Sequence, residues 1–147
     1  MAERMKNRVF PVMNIDLCIS NKEKELKELN PRLTEECSEK RTMNDFPPVS
    51  VKKGFATNGV VFTMKDLPGR SIEDTIMYFR ENCVKKILPE VIEAAEQGWE
   101  ITINMAVVAR RDDYPELWLS RQTIAFMNQI HAEFGIYIYD DDSEDEE

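Results

Sequence analysis

Asp112, Asp113 and Glu116 place three carboxylates within five residues. Carboxylates this close can share a proton in acid/base work or hold a hard cation. A calcium loop spaces its ligands at alternating positions around a turn glycine, and this stretch has neither feature. The alternatives are a solvated hairpin and an acidic patch that faces a protein. His131 is the single histidine, and a histidine can serve as a general base near neutral pH. No serine or cysteine motif accompanies it. Its place four residues after Met127, beside an apolar helical stripe, suits an ordinary partly buried histidine. Cys18, Cys37 and Cys83 are odd in number and far apart, with no C-x-x-C, so neither a disulfide framework nor a zinc site is expected. Lys40 and Lys86 each stand three residues from a cysteine, which is too little to mark a thiolate, and structural cysteines are expected. The five glycines are never grouped as G-x-G-x-x-G, so no phosphate loop is expected. The chain therefore reads as a non-enzyme without cofactor or metal.

The remaining residues with chemistry to offer are aromatic. In E-L-W-L (Glu116 to Leu119), Leu117 and Leu119 share a parity and Trp118 opposes them. In I-Y-I-Y (Ile136 to Tyr139), Tyr137 and Tyr139 oppose the isoleucines. If the isoleucines face helices, Trp118 and the tyrosines gather on the open face of a sheet. Aromatic anchors ringed by acids have the make-up of an interface hot spot. The candidate partner-binding set is Glu100, Asn104, Asp112, Asp113, Glu116, Trp118, Tyr137, Tyr139 and Asp140. The alternative is that a second layer or a homodimer partner covers these rings, or that they shield the sheet.

The element that must position them is the stretch Gly98 to Ala109. Trp99, Ile101, Ile103, Met105, Val107 and Ala109 alternate with Glu100, Thr102 and Asn104, the period of a strand with one buried face. Its length suggests a central strand. Val9 to Ile19 alternates in the same way, with Pro11 near its start. Lys22 to Asn30 has helix-forming composition and is interrupted by Pro31; Arg32 to Lys40 is a second helical candidate. Pro47-Pro48 forbids helix and marks a loop and an extended segment, followed by a turn at Lys52 to Gly54. Asn58-Gly59 reads as a turn before a strand at Val60 to Met64, which Asp66 to Gly69 ends. Ser71 caps a helix carrying Ile72, Ile76, Phe79, Cys83 and Ile87. Pro89 breaks or kinks it and opens a second helix, Glu90 to Gln97, stopped by Gly98. Glu116 to Leu119 reads as a short strand. Ser120 caps a helix to Glu133 with Ile124, Met127, Ile130 and Phe134 as its stripe, stopped by Gly135, and Ile136 to Tyr139 is the last strand. The order predicts an α+β domain, an antiparallel sheet with helices on one face, closed most simply as a ferredoxin-like split β-α-β.

The 147 residues suit one domain. Of the 28 acids, seven lie in the final eight residues, D-D-D-S-E-D-E-E. The other 21 nearly balance the 19 basic residues, so the body is almost neutral although the chain carries −9. A single domain over 1–139 with a disordered acidic tail at 140–147 is expected. The tail is either a solubilising terminus or a lure that speeds association with a cationic partner. Nucleic acid is disfavoured as a ligand, because phosphates require clustered lysine and arginine. No apolar run approaches the ~20 residues of a membrane helix, and the N-terminus lacks the apolar core of a signal peptide. A reducing cytoplasm is the expected setting.

The run P-P-V-S-V-K-K-G (Pro47 to Gly54), then G-W-E-I-T-I (Gly98 to Ile103), P-E-L-W-L-S (Pro115 to Ser120) and G-I-Y-I-Y-D (Gly135 to Asp140) together resemble the bacterial family known as domain of unknown function 4279. The resemblance spans Val9 to Asp140, and the chain departs from it in the polar insert Lys22 to Asp45 and in the tail. It implies α+β character, no catalytic residues, and kinship with immunity genes beside bacterial toxins, including contact-dependent ones. The expected function is thus an immunity protein, a monomer or homodimer, that neutralises a cognate toxin, of basic nuclease type, by stoichiometric binding. A small-molecule-binding regulatory module, dimeric in some forms, is the alternative.

Overall fold

Two alternating strands make the centre of the molecule. In the computed structural model, which describes residues 11–52, 56–68 and 71–141, β1 spans Val12–Asn21 and β4 spans Glu100–Ala109. They pair antiparallel, Ile15 opposite Met105 and Leu17 opposite Ile103, so their odd-numbered side chains form one continuous apolar face. All of these but Asn21, at the end of β1, are almost fully buried. β2 (Glu39–Arg41), β3 (Asn58–Pro68) and β5 (Ala132–Asp140) complete a five-stranded sheet of order β2-β3-β1-β4-β5. β4 and β5 run parallel and the other pairs antiparallel, so the sheet is mixed. Since β3 and β4 are both antiparallel to β1, they are parallel to each other with β1 between them. That is a split β-α-β, compatible with a ferredoxin-like arrangement.

The helices cover the apolar face. α3 (Ile72–Asn82) is capped by Ser71, whose Oγ accepts the Asp74 N–H at 3.0 Å, and buries Ile72, Ile76 and Phe79. The break before the next helix comes at Cys83, ahead of a 3-10 turn at Val84–Ile87, and Pro89 sits in the first turn of α4 (Leu88–Glu96). Gly98, at φ 91°, ends that helix as expected. α5 (Arg121–Gln129) is capped by Ser120. The α+β architecture with helices on one face is as the sequence predicts, but the expected antiparallel sheet is corrected to a mixed one, because β5 returns to β4 through α5 and pairs with it parallel.

Several local expectations are corrected. Lys22 to Asn30 holds only a 3-10 turn, Leu26–Glu28, because the Asn21 carboxamide takes the N–H groups of Glu23 and Lys24 at 2.7 and 2.8 Å. Pro31 starts a helix instead of interrupting one: α1 is Pro31–Glu36, capped by Asn30, and the expected continuation to Lys40 gives way to β2. Pro48 likewise opens α2 (Pro48–Lys52), since a first-turn proline loses no hydrogen bond. Asn58-Gly59 begins β3 in place of a turn. The Asn58 carboxamide bridges Lys24 O and Met43 N–H, and a Cβ on Gly59 would stand 2.5 Å from Ile19 O. Glu116 to Leu119 forms no strand. α5 stops at Gln129, not Glu133, and its end is His131 at φ 55°, not Gly135, which lies inside β5. Pairing of β5 along nine residues of β4 outweighs local helix preference there. Asp140 closes β5, and the Asp141 N–H donates to Ala109 O at 2.9 Å. The rest of the expected acidic tail, Val9 of the first expected strand, and Lys53 and Gly54 of the expected turn lie outside the described residues.

Candidate functional site

The sheet face opposite the helices carries the even residues of β1 and β4 and the odd residues of β5. Its central row is Thr63, Asp16, Asn104 and Gly135. The Asn104 side chain occupies the space that a Gly135 side chain would need; a Cβ there would meet Oδ1 at 2.9 Å. Asn104 Nδ2 contacts Cys18 Sγ at 3.9 Å, and that thiol donates toward Asp16 Oδ1 at 3.5 Å. Burial, then the Asp16 charge, push the Cys18 thiol up to about 11. Cys18 is therefore a structural thiol, and Asn104 is engaged inside the sheet. Burial also raises the Cys83 thiol.

The next two rows place Tyr137 beside Ala106 and Tyr139 beside Val108. Both tyrosines are exposed, as the alternation predicts, but Ile138 between them is also exposed. At the same end of the sheet, β4 runs into a 3-10 turn, Arg111–Asp113, with Asp112 and Asp113 exposed. The Tyr114 hydroxyl donates to Asp140 Oδ1 and so joins this turn to the end of β5. An extended connection from Tyr114 to Ser120 then leads to α5. Glu116, Leu117 and Trp118 are exposed on it, the last two at 63% and 60%. Leu119 packs on the core. The far end of the connection is held by Glu73 of α3, whose carboxylate accepts the Ser120 N–H and, at 2.7 Å, the Thr123 hydroxyl. The Ser120 backbone bond, followed by the Thr123 bond, holds the Glu73 carboxyl below its ordinary range.

The predicted set thus divides. Asp112, Asp113, Glu116, Trp118, Tyr137, Tyr139 and Asp140 lie on β5 or on the turn and connection joined to it. Glu100 is exposed at the other end of β4, eight residues from the Val108 row, which is ~26 Å of strand. Trp118 does not share the tyrosines' face by strand parity, because its segment is no strand. Sequence reasoning missed Tyr114, Leu117, Ile138 and Ile124. Ile124 was placed in the α5 stripe but is 54% exposed; the buried stripe is Thr123, Phe126, Met127 and Ile130. The signal was present as T-x-x-F-M-x-x-I, disguised by a polar first member that the Glu73 bond satisfies. His131 is exposed in its left-handed position.

Toward the β2 edge of the sheet, a cleft of ≈ 250 Å³ lies beside β1 and β3, lined by Cys18, Ser20, Arg41, Phe46, Thr57 and Val61 among others. Arg41 is paired with Glu39 at 3.2 Å, the bond that chiefly raises its pKa. Among the described residues, no three His, Cys, Asp or Glu side chains gather so as to hold a metal ion, and no helix is long and apolar enough to cross a membrane. No family model, curated protein or solved structure matches the chain.

Proposed function

We propose that this chain is a protein-binding inhibitor, a cytoplasmic immunity protein that captures a basic bacterial toxin in a stoichiometric complex. The carrying observation is one of distribution. Of the eight large hydrophobic residues exposed among the described residues, seven lie between Tyr114 and Tyr139. They are Tyr114, Leu117, Trp118, Ile124, Tyr137, Ile138 and Tyr139, with Asp112, Asp113, Glu116 and Asp140 exposed beside them. Scattered exposed hydrophobics are ordinary, but a concentration with a charged rim, here four exposed acids against the exposed Arg121, is the composition of a recognition surface. The connection that carries Leu117 and Trp118 is held at both ends, by Asp140 and by Glu73, so these anchors are ordered before a partner arrives. The toxin reading draws on the strand and turn patterns shared with the immunity-associated family, and on the seven acids from Asp140 onward.

Co-expression with the product of the adjacent gene tests it. A one-to-one complex and relief of growth arrest are expected, both lost in Trp118→Asp with the circular dichroism spectrum unchanged. Truncation after Asp141 is expected to slow association at low salt only. Absence of both complex and relief, or a complex indifferent to Trp118→Asp, refutes the proposal. The cleft beside Phe46 and Arg41 favours the second reading, a small-molecule module for an aromatic carboxylate. A thermal shift with benzoate or indole-3-acetate that disappears in Arg41→Ala supports that reading.

A further inference from the structure

We infer that the outer edge of β5 accepts a strand from the partner, so that recognition proceeds by extension of the sheet. This inference rests on the protein-binding reading and specifies how the partner docks. The two edges of the sheet differ. β2 is three residues long and reads Glu-Lys-Arg, the short charged form that protects an edge from pairing. β5 is nine residues long, and its Tyr137-Ile138-Tyr139 run is exposed on both faces. The bond from Asp141 N–H to Ala109 O sets the phase of the parallel ladder. Odd residues of β5 turn their backbone groups toward β4, and Phe134, Ile136, Ile138 and Asp140 turn theirs outward.

Charge selects the occupant. A second copy pairing antiparallel about Ile138 would cover the apolar run, with Tyr137 against Tyr139. It would also set Asp140 of each copy against Ile136 of the other and Asp141 against Gly135, and β5 has no lysine or arginine with which to meet those acids. A partner strand that alternates apolar and cationic residues covers the same run and meets Asp112, Asp113 and Asp140 with opposite charge. The occupant is therefore an extended basic segment of another protein.

The probe is a fluorescein-labelled peptide of four Lys-Val repeats, read by anisotropy at low salt and by amide exchange. Binding with new protection at Ile136 and Ile138 is expected. Ile138→Pro, which removes an outward N–H and leaves the β4 ladder intact, is expected to weaken binding at least tenfold. Ile138→Lys serves as a second variant if the proline disturbs folding. A Glu-Val repeat peptide is expected not to bind. Absence of binding, protection that appears at β2 instead, or equal binding by both variants overturns the inference. So does a wild-type dimer that dissolves in Ile138→Pro. If a toxin complex forms and Ile138→Pro leaves it intact, strand addition is refuted while the protein-binding reading stands; if no complex forms at all, that reading fails first.

Discussion

Ile124 of α5 and Ile130, the residue that closes its C-terminal end, lie six residues apart, and the structure assigns them opposite fates. Ile130 is fully buried and Ile124 is 54% exposed. Replacing Ile130 with alanine removes three methyl or methylene groups from a closed site and leaves a cavity, a change that costs ~2–5 kcal/mol. Full burial of an isoleucine is worth ~1.5–3 kcal/mol, so about half of that, near 1 kcal/mol, is at stake at Ile124. Alanine's higher helix propensity offsets a few tenths of it. The net expected cost of Ile124→Ala is about 0.5–1 kcal/mol. With a urea m-value of ~2 kcal/mol/M, Ile130→Ala lowers the unfolding midpoint by about 1–2.5 M and Ile124→Ala by less than about 0.5 M. Equilibrium urea unfolding followed by circular dichroism measures both. Equal losses, or a larger loss at Ile124, would mean that α5 is turned about its axis. The exposed group of Leu117, Trp118 and Ile124 would then not exist as a surface.

Three further outcomes follow from the geometry. Alkylation of Cys18 by iodoacetamide at pH 8, read by peptide mass spectrometry, is expected to be far slower than that of free cysteine and faster in Asp16→Asn. Because folding raises this thiol from its ordinary 9.0 to about 11, its contribution to stability is complete below pH 9 and is lost as pH climbs through 11; a contribution that grows with pH contradicts the assignment. Gly59→Ala forces a Cβ against the Ile19 carbonyl, a backbone atom that cannot swing aside, and is expected to destabilise by ~1–3 kcal/mol in the same urea assay. His131→Gly relieves a left-handed residue and is expected to raise the thermal midpoint, by the equivalent of ~1 kcal/mol; a fall would show that the imidazole makes a contact that matters.

The strands were more legible than the helices, for a physical reason. β1 and β4 each bury one face completely, so their parity is written in the residues at full strength. The segments that misled are those where one side chain or a distant strand decides. Asn21 diverts Lys22 to Asn30 from helix by binding two backbone N–H groups. Pro31 and Pro48 act as first helical residues, a role that a breaker reading overlooks. The α5–β5 boundary moved because β4 offers a nine-residue ladder, which local composition around Gly135 cannot reveal. For the candidate surface, the tyrosine alternation and the acidic turn were readable. Leu117 and Ile124 were not, because their exposure depends on how Tyr114 and Glu73 hold the connection between them.

β1 is the first strand among the described residues and the third in the sheet. Its two neighbours begin at Asn58 and Glu100, so one flank of the central strand can close on β3 while the other stays open until β4 has been made. Synthesis from the N-terminus therefore yields the middle of the sheet early and its closure late, a topology of long-range pairings that folds slowly. Loss of residues from the front end beyond Val12 would remove a keystone, whereas loss from the back strips an edge. The ribosome, and any chaperone beside it, handles Ile15, Leu17 and Ile19 as an apolar strand with one flank unpaired until β4 emerges.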